Sequence, residues 1–177
     1  TAEGSHAALT AHKFGGSSLA DAACFRRVAG ILLERDDARQ VTVVSAMQGV
    51  TNGLIALAQA AANKDPGWQA QWGALRERHL ETARDLLAEN SGAMQVWLEA
   101  RFADLADTLK ALAVLGIPAR EALDAIQGLG EVWSAHLLRA HIEALGQECA
   151  LLDARDVLVV SHGELGVAVD WQASAAR

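Results

Sequence analysis

Lys13-Phe14-Gly15-Gly16-Ser17-Ser18 is the stretch best equipped for chemistry, set between a short apolar run and an amphipathic one. Two adjacent glycines let the backbone approach an anion closely, with their N–H groups turned toward it. The helix that follows adds the positive end of its dipole, and Lys13 adds a full charge. Strand, glycine turn and helix in that order can hold phosphate. The same order also makes an ordinary βα turn, and Ser17 or Ser18 can equally serve as a helix cap. The spacing is neither the Walker A pattern nor the dinucleotide fingerprint.

Two further blocks carry polar groups at element ends. Ser45 follows the apolar run Val41-Thr42-Val43-Val44, and ligands of open α/β sheets bind at the carboxyl ends of strands. Thr51 follows Gly49-Val50 and can either present its hydroxyl to a ligand or cap the helix behind it. In Gly128-Leu129-Gly130-Glu131-Val132-Trp133-Ser134-Ala135, a glycine inside a helix costs about 1 kcal/mol. A break at the glycines, with Glu131 opening a new helix, avoids that cost. Glu131 there can serve the helix dipole or a ligand.

In this order, the three blocks resemble the signatures of aspartokinases, in the amino-acid kinase superfamily, and cover most of the chain. The sequence around Trp133 is similar to the kinase portion of bifunctional aspartokinase–homoserine dehydrogenases. One departure is Leu129, where relatives often carry histidine. The resemblance implies phosphoryl transfer from ATP, with Mg²⁺, to the side-chain carboxylate of L-aspartate, a step toward lysine, threonine and methionine. It gives Lys13 the catalytic role of stabilising the transferred phosphoryl group, and Gly15, Gly16, Ser17 and Ser18 the phosphate. Ser45 and Thr51 resemble the hydroxyls that contact aspartate, and Glu131 resembles the acid that meets its ammonium. A homo-oligomer is expected of the parent enzyme. An aspartokinase catalytic domain is well over half as long again as this chain, so the chain reads as its N-terminal portion, inactive alone. The rival readings are a superfamily kinase with a different acceptor, and a non-catalytic interaction module of the same fold.

The elements that must position these residues follow from periodicity. Leu9–Phe14 reads as a strand, Leu19 to about Arg35 as a helix, Val41–Val44 as a buried strand and Thr51 to about Asn63 as a helix. From Pro66 to Leu115 the spacing is helical throughout. Trp72, Leu75, His79, Leu80, Ala83 and Leu86 form one stripe, and Met94, Trp97, Leu98, Phe102, Leu105 and Leu109 the next. Asn90-Ser91-Gly92 divides them, which predicts an antiparallel helical hairpin with the tryptophans and His79 packed inside. Gly116 stops the second helix, and Pro118 suits the first position of another. The helix opened by Glu131 should run to about Leu145 and stop at Gly146. Cys149–Leu152, Val157–Val160 and Val167–Val169 read as strands, with a turn at Ser161-His162-Gly163-Glu164. The fold class is α/β, a mostly parallel sheet with helices on both faces and a helical hairpin insert. Residues 1–10 read as a loose leader and 11–177 as the kinase portion.

Composition agrees with a globular chain: 177 residues, half of them hydrophobic, support one core. A formal charge of −7 disfavours nucleic acid as a partner. No apolar run reaches the roughly 20 residues that span a bilayer, so no membrane partner is expected. Cys24 and Cys149 sit in apolar contexts and read as reduced thiols, which points to the cytoplasm. The six histidines show no metal spacing; His136 and His141 are five apart on a helix and do not face each other. Asp153 and Asp156 flank Arg155 and read as a self-paired loop rather than a metal site.

Overall fold

Val41, Val43 and Val44 are branched at Cβ, which crowds a helix but suits a pleated strand. The computed structural model describes residues 9–35, 39–116, 120–163 and 166–177. In it these valines lie in β2 (Arg39–Val44), parallel to β1 (Leu9–Phe14), with Leu9 opposite Arg39 and Phe14 opposite Val44. The crossover between them contains α1 (Ala22–Leu33), so the chain opens as a βαβ unit. The strand expected at Leu9–Phe14 is present with those bounds. Leu9 and Thr10 thus belong to the sheet, and the rest of the expected leader lies outside the described residues.

Both strands alternate between an exposed and a half-buried face. Phe14 and Val44 pack on the helical core, whereas Leu9, Val41 and Val43 remain 57%, 45% and 56% exposed. The α/β class holds, but helices cover one face of the parallel pair among the described residues, not both.

The helical block is as periodicity demands. α2 (Val50–Ala62) is followed by the hairpin of α3 (Trp68–Leu87) and α4 (Gly92–Leu115), joined by a 3-10 turn over Ala88–Ser91. Gly116 ends α4 at φ 75°, a left-handed conformation, with its N–H donating to Leu112 O at 2.9 Å. The expectation for Pro118 lies outside the described residues. α5 (Arg120–Gln127) leads to α6 (Leu129–Ala144), with Gly128 at its N-cap and Glu131 in its first turn.

The core centres on three rings from three helices. Phe102 and Trp133 lie 4.4 Å apart between centroids, Trp133 and His79 4.9 Å, and His79 and Phe102 5.4 Å. His79 is fully buried. Its Nδ1 donates to Leu75 O at 2.8 Å, because a carbonyl can only accept. Burial pushes its pKa down to about 4, opposed by that hydrogen bond and reinforced by the Arg78 charge.

The C-terminal stretch departs from the periodic reading. Cys149–Leu152 is not a strand: it pairs with no strand among the described residues, Cys149 packs on the core and Leu152 is 75% exposed. Asp153 caps a short α7 (Ala154–Val157) by accepting from Arg155 N–H, so β3 (Val159–Gly163) starts two residues late. Asp153 also accepts from Arg155 Nε at 2.9 Å, which holds its pKa down at about 2. The expected turn at Ser161–Gly163 is instead β3, antiparallel to β4 (Gly166–Asp170), and residue 164 lies outside the described residues. A last short α8 (Trp171–Ala175) follows.

Candidate functional site

The ladder between β1 and β2 closes where Ser45 N–H donates to Phe14 O at 3.0 Å. The carboxyl ends of both strands therefore lie side by side, and each releases the chain into a loop. After β1, Gly15 is extended and opens a single 3-10 turn over Gly16–Leu19, closed by Ser18 N–H donating to Gly15 O at 2.9 Å. A turn with that first bond leaves the N–H groups of Gly16 and Ser17 without partners inside it. Lys13 is exposed at the end of β1 and folds over this turn, its Nζ 3.7 Å from where a Cβ on Gly15 would stand.

Neither serine caps α1. Asp21 does, its Oδ1 accepting from Cys24 N–H at 2.9 Å, and that hydrogen bond holds its carboxyl below the usual carboxylate range. Thr51 likewise does not cap α2, because the N-cap is Gly49 and Thr51 is the second helical residue. Ser17, Ser18 and Thr51 are thus free of the capping duty that the sequence left open for them.

After β2, Ala46 and Met47 are buried, and Val50 N–H donates to Met47 O at 2.9 Å as α2 begins. Ala46 is the meeting point of the site. A Cβ on Gly16 would stand 3.0 Å from Ala46 O, so the phosphate-type loop touches the Ser45–Thr51 loop directly. A Cβ on Gly130 would stand 2.6 Å from Ala46 Cβ and 2.8 Å from Val50 Cγ1, distances no real side chain takes. Only glycine lets α6 approach this closely. Ala46 and Val50 are the sequence neighbours of Ser45 and Thr51, and Gly130 is the neighbour of Glu131, so these three polar residues are brought to one strand end.

Glu131 is half-buried, and its Oε2 is buried with no hydrogen-bond partner among the described residues. It is the one carboxylate oxygen in that situation there. A buried carboxylate oxygen without a partner is unfavourable unless a cation or donor meets it. The arrangement thus offers a cationic and N–H-rich turn on one side and an unmet carboxylate with two hydroxyl residues on the other.

Two contributors were not visible in the sequence. Gly130 reads there as a helix breaker, whereas it lies inside α6 and sets the spacing to Ala46. Arg78 of α3 gives no motif, yet it donates from Nη1 to Gln48 O at 2.9 Å and from Nη2 to Ala20 O at 3.0 Å. No spacing rule picks out an arginine on a helix 30 and 58 residues from its partners. Among the described residues no three His, Cys, Asp or Glu side chains group as a metal site. No described helix is long and apolar enough to cross a membrane.

Comparison with known proteins identifies the family and the fold. Residues 8–176 match the sequence model of the amino acid kinase family. Bifunctional aspartokinase/homoserine dehydrogenase 2 of Escherichia coli (strain K12) is 40% identical over 150 residues, 83% of this chain and 18% of the relative. The chloroplastic bifunctional aspartokinase/homoserine dehydrogenase of Daucus carota is 37% identical over 151 residues, 85% of this chain and 16% of the relative. The chain therefore spans less than a fifth of the length of these relatives. The fold superposes on E. coli aspartokinase III in complex with aspartate and ADP with a TM-score of 0.83 at 24% identity, over 96% of this chain and 36% of that one. The family match over nearly the whole chain, joined to that likeness of fold, places the protein in the amino acid kinase family.

Proposed function

We propose that the chain carries the aspartate- and phosphate-facing part of an aspartate kinase, which transfers the γ-phosphoryl group of ATP to the side-chain carboxylate of L-aspartate. The observation that carries this reading is the unmet Glu131 carboxylate at a strand end shared with Ser45 and Thr51. An amino acid brings the ammonium such a carboxylate lacks, and hydroxyls suit its carboxylates. The relatives' names and the aspartate and ADP of the aspartokinase III complex support the same assignment.

Phosphoryl transfer needs positioning and positive charge where the transferred oxygens gain negative charge. Lys13 would supply the charge. The N–H groups of Gly16 and Ser17, with the Ser17 and Ser18 hydroxyls, would hold phosphate oxygens in the manner of an oxyanion clamp. Mg²⁺ would arrive on the nucleotide's phosphates, neutralising their charge, and we assign it no ligand in this chain. Two cysteines without a disulfide support a cytoplasmic setting, and a homo-oligomer completes the reading. The open face of Leu9, Val41 and Val43 favours a second reading, an interaction module of the same fold.

Isothermal titration of the 177-residue chain with L-aspartate decides between them. Saturable binding is expected, with Glu131→Gln weakening it at least about tenfold, the range of a lost charge-assisted contact. Absence of aspartate-dependent heat, or equal affinity in the variant, would overturn the aspartate assignment. In a coupled assay of ADP release by the intact parent enzyme, Lys13→Ala should lower kinase turnover about 100- to 1000-fold while changing the aspartate KM little. Near-normal turnover would return Lys13 to a surface residue.

A further inference from the structure

We infer that Arg78 is a positioning residue, which sets the separation between the phosphate-facing loop after β1 and the aspartate-facing loop after β2; its part in catalysis rests on the function proposed above. The two carbonyls it meets belong to those loops. Ala20 closes the 3-10 turn that contains Gly16, Ser17 and Ser18. Gln48 lies in the turn between Ser45 and Thr51. A guanidinium is planar and presents its N–H groups in a fixed fork, so two carbonyls held by its two terminal nitrogens are held at a fixed spacing. An ammonium on a flexible stem cannot impose that distance.

The anchor itself is rigid. Arg78 precedes His79, which is fully buried against Phe102 and Trp133, so its backbone belongs to the best-packed part of the molecule. Thr82, one turn on, donates to Arg78 O at 2.8 Å. The two loops lie close enough to leave no room for a side chain between them: a Cβ on Gly16 would stand 3.0 Å from Ala46 O and 3.5 Å from Gln48 Cα. The arginine prevents them from parting. Arg78 donates to main-chain carbonyls in this arrangement, so it acts through the loops and not on a reacting atom.

Hydrogen exchange of backbone amides, followed by NMR on the 177-residue chain, tests this directly. The Ser18 amide reports the first loop and the Val50 amide the second, since each donates across its own turn. In Arg78→Met both should exchange about tenfold faster or more, as expected for two lost charge-assisted hydrogen bonds, while amides within α4 keep their wild-type rates. Arg78→Lys should restore protection at one loop and not both. Aspartate affinity, titrated on the same samples, should fall in Arg78→Met and recover only in part in Arg78→Lys. Unchanged exchange, loosening of one loop alone in Arg78→Met, or a uniform rise that includes α4 would overturn the inference. So would loosened loops with unaltered aspartate affinity. Should Arg78→Met not fold, the lysine variant decides: protection of both loops as in wild type is the overturning result. Should wild-type chain bind no aspartate, the proposed function fails, and exchange still decides whether Arg78 ties the loops.

Discussion

The helical hairpin and the parallel strand pair treat their apolar side chains in opposite ways. In α4, Leu98, Phe102, Leu105 and Leu109 are all buried, and the helix packs against α2, α3 and α6. In the strands, Phe14 and Val44 are covered while Leu9, Val41 and Val43 face outward. The hairpin reaches the close packing of a finished core. The sheet is finished on one face and bare on the other, and the candidate site sits where the two meet. Stability and the chemistry of the site are thus supported from the helical side, through α3 and α6.

The strongest way to break this contrast is to empty the hairpin's centre. Trp133→Ala removes the ring that joins α6 to α3 and α4, and a large buried aromatic lost to alanine costs about 3–5 kcal/mol. Denaturant titration should show that loss. A change below about 1 kcal/mol would mean the aromatic cluster is not the core's keystone.

Acid probes the same cluster without mutation. His79 titrates near 6.5 when unfolded and at about 4 when folded. Above pH 6.5 both states are neutral and stability is complete. Between 6.5 and 4 the unfolded chain takes up a proton that the folded chain refuses, so stability falls, by on the order of 3 kcal/mol. Burial lowers His136 and His141 too, which deepens the trend. Comparing wild type with His79→Leu from pH 8 to 4.5 isolates the share of His79; parallel curves would refute it.

The smallest effect belongs to the bare face. Val43→Thr should leave stability within about 0.5 kcal/mol, as for surface changes in general, while reducing concentration-dependent self-association in sedimentation. A clear loss of stability would show that Val43 is packed and the contrast false.

How much of this was legible in sequence follows the same divide. The hairpin was readable because Leu98, Phe102, Leu105 and Leu109 repeat at helical spacing and Gly116 marks the stop. β1 was readable because two glycines end the stretch Leu9–Phe14. The C-terminal strands were legible only in part, because a strand exists by its pairing: Val167–Val169 falls within β4, but Cys149–Leu152 has the composition without a partner among the described residues, and β3 continues through Gly163 because β4 lies against it. At the site, the residue types at the loops were legible, but their convergence on Ala46 was not. It depends on a missing Cβ at Gly130 and on Arg78, both facts of tertiary contact and not of spacing.

Gly130 also has a genetic consequence. The atoms facing its absent side chain are Ala46 Cβ, fixed to the backbone, and Val50 Cγ1, rooted in the first turn of α2, so neither can swing aside as the tip of a lysine would. In a saturation library scored for folding, position 130 should tolerate a single letter, while exposed Val96 and Val114 on α4 should tolerate most of the alphabet. Substitutions at 130 would be rescued only when both partners shrink with them, as in Gly130→Ala combined with Ala46→Gly and Val50→Ala. Helix α6 and the loop after β2 are therefore expected to drift through sequence space as a correlated pair.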